Sequence, residues 1–248
     1  MHAIDPAATA WLLASTALVL VMTPGLAIFY GGMVRTTGVL NMIMMSFISI
    51  PLVTVAWLLV GYTIAFSDDG VHGPVGGLRH IGMLGIAPDT LHGAVSELLF
   101  ATFELTFAII TAALVSGAIA DRAKFAARIA FVPVWTIVVY SVVAHWVWGP
   151  GGWLAKLGVL DYAGGLVVEI VSGSSALALA LARAAHRVQE TRHAAAQFAI
   201  RLARCRAAAV RLVRVQRRFR VGCQRNCRGD LPQHARRGLP RHARLALG

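Results

Sequence analysis

Charge is nearly absent from the first three quarters of this sequence. Residues 1–182 contain six lysines or arginines and nine aspartates or glutamates, a net charge of −3. The other seventeen basic residues, all arginine, lie in residues 183–248 with only two acidic residues, a net charge of +15. The net charge of +12 for the whole chain therefore averages two unlike parts. A partner inferred from basic charge has to be argued from residues 183–248 alone.

Cysteine is also absent before residue 205. The only cysteines are Cys205, Cys223 and Cys227, and one Cys-x3-Cys pair without a second pair is a weak indication of a metal site. No stretch resembles a nucleotide-binding loop, a nucleophile elbow or a metal-ligand cluster. We therefore predict a protein that is not an enzyme and that has no metal or cofactor site.

Long apolar runs fill residues 1–182 instead. Five of them carry at most one acidic residue or histidine each: Ala7–Tyr30, Leu40–Phe66, Leu98–Ala120, Ile129–Trp148 and Ala163–Ala182. Each has about 20 residues or more, the length that crosses the hydrocarbon core of a bilayer, and a helix satisfies its own backbone there. The first run lacks the basic start of a signal peptide and is longer than its apolar region. We predict an all-α, polytopic membrane protein with five transmembrane helices.

Basic residues in the connecting segments predict the orientation. Arg35 follows the first run, Arg122, Lys124 and Arg128 follow the third, and further arginines follow the fifth, whereas the other side has only Arg79 and Lys156. The side richer in Lys and Arg is normally cytoplasmic. The chain is therefore predicted to be a multi-pass plasma-membrane protein with its N-terminus outside and its basic tail in the cytoplasm.

A few ionisable and aromatic side chains interrupt these runs near the predicted outer side. Phe103 and Phe107 are four residues apart and share a helix face. Trp148 ends the fourth run, with His145 just before it, and Asp161 leads into the fifth. Singly, a Phe packs and a Trp anchors a span at the interface. Grouped with an acid, such residues suit a small cation, through cation–π attraction.

Three longer stretches carry a family resemblance. They are TPGLAIFYGGMVR (Thr23–Arg35), FELTFAIITAALVSGAIADRAKF (Phe103–Phe125) and AHWVWGPGGWLAKLGVLDYAGGLVVEIVSG (Ala144–Gly173). In this order they resemble successive signatures of the Amt/Mep/Rh ammonium transporter family. The resemblance runs nearly continuously from Trp11 to Leu181.

The resemblance implies a function and roles for particular residues. It implies channel-like transport of ammonium or ammonia, with Phe103 and Trp148 matching the aromatic cage that recruits the ion at an outer vestibule. Phe107 matches a phenylalanine that gates the pore, and Asp161 matches an acid that supports the vestibule without touching the ion. For full-length relatives the resemblance implies a homotrimer. The implied partners are ammonium or ammonia and the lipid bilayer.

Glu169 departs from the usual family pattern. It stands where the resemblance places the first of two histidines that line the pore, although some fungal members carry an acid there. A glutamate accepts and relays a proton, as histidine does, so the substitution is compatible with conduction. We expect it to alter selectivity.

The basic tail does not fit the family. The resemblance implies about eleven spans built as two inverted five-helix repeats, and residues 1–182 match only the first repeat. Residues 183–248 contain arginine but no lysine, a bias typical of an out-of-frame reading of GC-rich DNA. With synonymous codons chosen freely, residues 197–248 read one nucleotide later permit a translation containing FGWFGFNAGS, which resembles the sixth span of the family. We interpret 183–248 as a disordered frameshift product and expect the chain as given to be inactive.

An alternative interpretation gives residues 183–248 a binding function of their own. Arginine-rich segments bind phosphates without sequence preference, and a basic amphipathic helix binds a membrane surface. The chain would then be a membrane-anchored protein with an Arg-rich tail that binds nucleic acid or a membrane surface. The family resemblance favours transport, so we do not expect nucleic acid to be a partner.

Overall fold

Five long apolar helices dominate the computed structural model of the chain, which describes residues 4–69, 75–120 and 123–184. They are Pro6–Gly31, Thr36–Phe66, Glu97–Ile119, Phe125–Val147 and Gly165–Ala182, called spans one to five below. Each is long and apolar enough to cross a membrane. Their bounds lie close to those of the five predicted runs. The prediction of an all-α, polytopic membrane fold is therefore confirmed, while the tail from residue 185 onward lies outside the described residues.

Most spans consist of more than one helical segment. In span two, a 3₁₀ turn, two α-helices, a π-helical turn and a last α-helix follow one another: Thr36–Gly38, Val39–Phe47, Ser49–Ala56, Trp57–Gly61 and Tyr62–Phe66. The other spans are built from these segments: Pro6–Gly31, Glu97–Ser116 with Gly117–Ile119, Phe125–Trp135 with Thr136–Tyr140 and Ser141–Val147, and Gly165–Ile170 with Val171–Ala184. The connecting segments contain a 3₁₀ turn, a two-stranded hairpin and a short helix: Ile81–Met83, Leu91–His92 paired with Val95–Ser96, and Trp153–Lys156.

Proline and π-helical turns explain these interruptions. Pro51 cannot donate a backbone hydrogen bond, and span two is interrupted at Ile48, three residues before it. The π-helical turns of spans two and four, Trp57–Gly61 and Thr136–Tyr140, pack against each other. In span four, the hydroxyl of Ser141 donates to the carbonyl oxygen of Thr136 at 3.0 Å. A π turn adds one residue to a helix, so it changes which side chains of the following turns face the bundle.

Span three is the central helix of the bundle. It packs against spans one, two and five. About two thirds (67%) of the residues in its most apolar stretch are buried, against 28–39% in the other spans. The outer faces of those spans carry exposed apolar side chains such as Val21, Val55 and Val138, as expected for helices that face lipid on one side. Span three therefore supplies the interior surface on which side chains from other spans converge.

One end of the bundle contains the start or the end of each of the five spans, and two short polar contacts join some of them. The amide of Asp5 donates to the carbonyl oxygen of Ala94 at 3.0 Å, which joins the start of span one to the hairpin before span three. The hydroxyl of Tyr62, near the end of span two, donates to the carboxylate of Glu97 at 2.9 Å. The end of span four and the start of span five also meet here. We call it the N-terminal end of the bundle.

The segment that follows span two is shaped by Asp69. Its carboxylate accepts a hydrogen bond from the hydroxyl of Ser67. Chiefly through this bond, and also through bonds from its own amide and those of Leu78 and Arg79, the pKa of Asp69 is lowered from its ordinary value. Bonds to a carboxylate favour its charged form. The ionised side chain therefore holds the two ends of this loop together.

Arg128 is a buried residue of span four and does not belong to the connecting segment in which the sequence predicts it. The sequence predicts Arg128 in the segment after span three, but span four already begins at Phe125 and Arg128 is 1% exposed. Its guanidinium donates to the hydroxyl of Ser49 at 3.0 Å and to the carbonyl oxygen of Ala112. Arg128 thus links spans two, three and four and is not a connecting-segment charge. Its apolar stem packs inside the bundle while the guanidinium fork reaches two acceptors at once, a role that residue type and position along the chain do not reveal.

We expect Arg128→Ala to lower the free energy of unfolding by about 2–5 kcal/mol, because it empties a buried site and leaves two acceptors without their donor. Lys124→Ala is the matched control, since Lys124 precedes the same helix and is exposed. Thermal denaturation of both variants in detergent provides the measurement. Equal midpoints for the two variants would contradict the proposed linking role.

Candidate functional site

Two phenylalanines of span three form the first part of the site. Phe103 and Phe107 lie one helical turn apart, and both are buried. Their ring centroids are 4.9 Å apart, with the rings nearly perpendicular at 83°. This edge-to-face arrangement is favourable for aromatic pairs, and the four-residue spacing had predicted the shared face.

Trp148 brings span four to this aromatic pair. It is the residue that follows the last turn of span four, and its ring centroid lies 6.2 Å from that of Phe107. Its indole N–H donates to the carbonyl oxygen of Asp161 at 3.3 Å. The indole is half-buried. Trp148 therefore contacts span three with its ring and the start of span five with its polar edge.

Asp161 organises the start of span five. Its carboxylate accepts hydrogen bonds from the amides of Leu166 and Val167, each at 3.1 Å. These amides belong to the first turn of the helix and have no partner within it, so a carboxylate there is stabilised. Gly164, just before this turn, has a φ of 74°, which favours glycine. The carboxylate of Asp161 is therefore engaged by the backbone.

Glu169 lies deeper, in the same π-helical turn. The amides of Val168 and Glu169 both donate to the carbonyl oxygen of Gly164, at 2.8 and 3.0 Å. Val167 and Val168 are fully buried in two different apolar clusters, whereas Glu169 is half-buried and Ile170 is 56% exposed. Within the described residues, no hydrogen bond reaches the carboxylate of Glu169. The side chain thus lies at the boundary between the packed bundle and the open face of span five.

The predicted site residues separate into two levels. Phe103, Phe107, Trp148 and Asp161 are connected by direct contacts at the N-terminal end of the bundle. Glu169 lies about two turns further along, inside span five. The arrangement provides an aromatic surface beside a backbone-held carboxylate, with a second carboxylate below it.

His145 does not belong to this group. It is buried, and its Nδ1 donates to the carbonyl oxygen of Ala65 at 3.1 Å, which joins span four to span two. Its neighbour Trp146 faces Trp153 of the following segment, with ring centroids 5.9 Å apart. Position near the end of span four did not distinguish His145 from Trp148, because the helix places their side chains on different sides. Among the described residues there is no group of three His, Cys, Asp or Glu side chains that could hold a metal ion.

Comparisons with known proteins identify relatives of this chain. The model of the Ammonium Transporter Family matches residues 10–200. Ammonium transporter Amt1 of Archaeoglobus fulgidus is 46% identical over 172 residues, which cover 69% of this chain and 42% of the relative. The ammonium transporter of Bacillus subtilis is 48% identical over 166 residues, which cover 66% of this chain and 40% of the relative.

Comparison with solved structures identifies relatives of the same kind. The crystal structure of Saccharomyces cerevisiae Mep2 matches with a TM-score of 0.66 and 35% identity, over 72% of this chain and 40% of that chain. Mep2 from Candida albicans gives a TM-score of 0.64 at 32% identity. The chain therefore spans about two fifths of the length of the relatives it matches.

Proposed function

The chain belongs to the Ammonium Transporter Family, and from this premise we propose that it contributes one wall of a pathway that carries ammonium or ammonia across a membrane. The observation that carries the proposal is the contact of Trp148 with both Phe107 and Asp161. This contact joins three residues to which the family resemblance assigns neighbouring roles. The relatives are named as ammonium transporters, which supports the choice of substrate.

We assign the capture of the ion to Phe103 and Trp148. Each aromatic face attracts a desolvated cation by about 0.5–2 kcal/mol, and ammonium is small enough to contact more than one ring. Asp161 acts indirectly, because two backbone amides already occupy its carboxylate. It holds the indole of Trp148 through its carbonyl oxygen and adds negative potential without binding the ion.

Phe107 and Glu169 act after capture. Phe107 is buried below the vestibule and contacts both other aromatic rings, which supports a role as a gate that admits the ion only when its ring moves. Glu169, in the π-helical turn deeper in span five, takes the position of the first pore histidine. It accepts a proton from ammonium or stabilises its charge along the pathway.

The proposed site has a direct test in binding. Titration of the purified chain with methylammonium, followed by the fluorescence of its tryptophans, should show weak saturable quenching, because Phe103 and Trp148 contact the ion at the outer end even where it is not carried across. Trp148→Phe should abolish the change, whereas Trp153→Phe, in the neighbouring exposed segment, should leave it. An equal response of both variants would remove Trp148 from the site.

The proposed location is the plasma membrane, with the N-terminal end of the bundle outside. Excluding Arg128 leaves Arg35, Arg122 and Lys124 on the inner side before residue 183, against Arg79 and Lys156 on the outer side. The difference is smaller than in the sequence-based count, but it has the same sign. For the full-length form we propose a homotrimer. The alternative of a membrane-anchored protein with an Arg-rich binding tail gains no support from the relatives.

We expect a reporter enzyme that works only in the cytoplasm to be active when fused after Lys124 and inactive when fused after Asp68. The physical reason is that segments rich in Lys and Arg are retained on the cytoplasmic side during insertion. A reporter that works only outside the cytoplasm, fused at the same two positions, is the control and should give the reverse pattern. Activity of the cytoplasmic reporter after Asp68 alone would invert the topology and move Trp148 to the inner side.

A further inference from the structure

The segment between spans four and five exposes apolar side chains where a water-facing loop would bury or omit them. Trp153 is 50% exposed, Leu157 72% and Leu160 70%. Leu154, in contrast, packs against the core of the bundle. The segment therefore has one face toward the protein and one apolar face away from it. Burying a leucine side chain is worth about 1.5–3 kcal/mol, so this outward face favours an apolar environment.

This segment lies level with the ends of the helices, in contact with the last turn of span four. Trp153 packs against Trp146, in the last turn of span four, with ring centroids 5.9 Å apart and the rings tilted at 59°. Gly149 keeps the chain close to span two and Gly152 keeps it close to span four, because a Cβ atom would lie 2.4 Å from the carbonyl oxygen of Ala65 at Gly149 and 2.3 Å from that of His145 at Gly152. At its other end, the carbonyl oxygen of Asp161 accepts the bond from Trp148. The segment thus lies alongside the bundle end and does not project away from it.

The charge of the segment complements a lipid surface. Lys156 is exposed and lies between Trp153 and Leu157, on the same short stretch as the outward apolar residues. The single acid between residues 149 and 164 is Asp161, whose carboxylate is engaged by the amides of Leu166 and Val167. Exposed Trp, Leu and Lys side chains together are typical of the zone where lipid headgroups meet acyl chains.

We propose that residues 153–160 dock on the bilayer at the N-terminal end of the bundle, with Trp153, Leu157 and Leu160 inserted at the headgroup boundary and Lys156 bound to a lipid phosphate. The partner is a phospholipid, preferably an anionic one. Docking holds the segment that ends at Asp161, but it does not depend on what the neighbouring site transports.

The insertion is tested by lipid quenching of a site-specific probe. The three cysteines are replaced by serine, and a fluorophore is attached to a single cysteine introduced as Leu157→Cys, or in a second variant as Leu160→Cys. The full chain is reconstituted in phosphatidylcholine vesicles that contain lipids with a quencher near the headgroup. Asp89→Cys is the matched control, because Asp89 is exposed in a polar turn of another segment at the same end.

We expect both leucine-site probes to be quenched about twofold or more above the Asp89 probe, as for side chains at the interface. Quenching equal to that of the Asp89 probe would overturn the docking. Quenching that falls as the ratio of protein to lipid rises would also overturn it, since a second copy of the chain would then cover the surface. Both leucines are exposed, so their replacement removes no core packing.

The phosphate contact is tested separately. Exchanging half of the phosphatidylcholine for phosphatidylglycerol should increase quenching of the Leu157 probe in the chain with Lys156 and not in Lys156→Gln. Lys124→Gln, at the opposite end of the bundle, should keep the full increase. An increase that persists in Lys156→Gln would show that Lys156 does not bind the phosphate.

Discussion

Residues 1–248 expressed in a host that lacks ammonium uptake are expected to give no saturable methylammonium uptake above the empty vector. A gene in which the reading frame is shifted by one nucleotide near codon 183 is expected to give saturable uptake. We propose this because residues 183–248 contain seventeen arginines and no lysine, and because the shifted frame permits a translation resembling the next span of the family.

The physical reason lies in the open face of span five. Ile170, Leu177 and Leu181 are 56%, 48% and 61% exposed, and Glu169 directly precedes the first of them. A pathway lined on one side only cannot replace the hydration shell of an ion, since a single aromatic contact supplies about 0.5–2 kcal/mol. Two copies of one chain do not form the missing wall by an inverted repeat, because that requires opposite insertions of the same sequence.

The control for this experiment is Trp148→Ala in the shifted frame, which should remove the saturable part of the uptake at equal expression. Sequencing the DNA across codons 180–190 tests the same proposal independently. Saturable uptake by residues 1–248 that is lost in Trp148→Ala would refute the inactive-product interpretation. A stop codon within a few residues in the shifted frame would refute the frame proposal.

In the frame-shifted gene, we expect Glu169→Ala to reduce ammonium uptake about a hundredfold or more, the lower end of the range of effects seen when a positioned proton-transfer group is lost. A carboxylate that is not engaged by neighbours is costly in apolar surroundings, by several kcal/mol when ionised. Its presence in span five therefore indicates exchange of a proton or contact with a cation. Glu169→His should retain conduction with a changed ratio of ammonium current to ammonia flux.

Two further variants separate charge from packing. Glu169→Gln keeps the volume and removes the ionisable group, so it should behave like Glu169→Ala. Ile170→Ala changes the adjacent exposed residue and should keep transport. Currents across membranes measure the charged species, and the rate of acidification or alkalinisation of loaded vesicles measures the neutral one. Unchanged uptake by the Gln variant at equal expression would reduce Glu169 to a structural residue.

The contacts of the proposed vestibule could be anticipated only in part. Spacing along one helix predicted that Phe103 and Phe107 share a face, because that relation is local. Sequence grouping placed His145 with Trp148, although the bundle directs His145 to the carbonyl oxygen of Ala65 instead. Which of two neighbouring residues reaches another span depends on helix rotation, and the π-helical turn Thr136–Tyr140 alters that rotation without a signal in composition.

The sequence by itself determined the five spans, the end of the bundle at which the aromatic residues gather, and the family. Span length and apolarity are set by the thickness of the bilayer, which acts on each stretch of chain separately. Only the tertiary structure decided that Arg128 is an interior link between three spans, that the carboxylate of Asp161 is held by two amides, and that Glu169 lies at an open boundary. Burial and hydrogen-bond partners are properties of neighbouring helices, and no single stretch of the chain contains them.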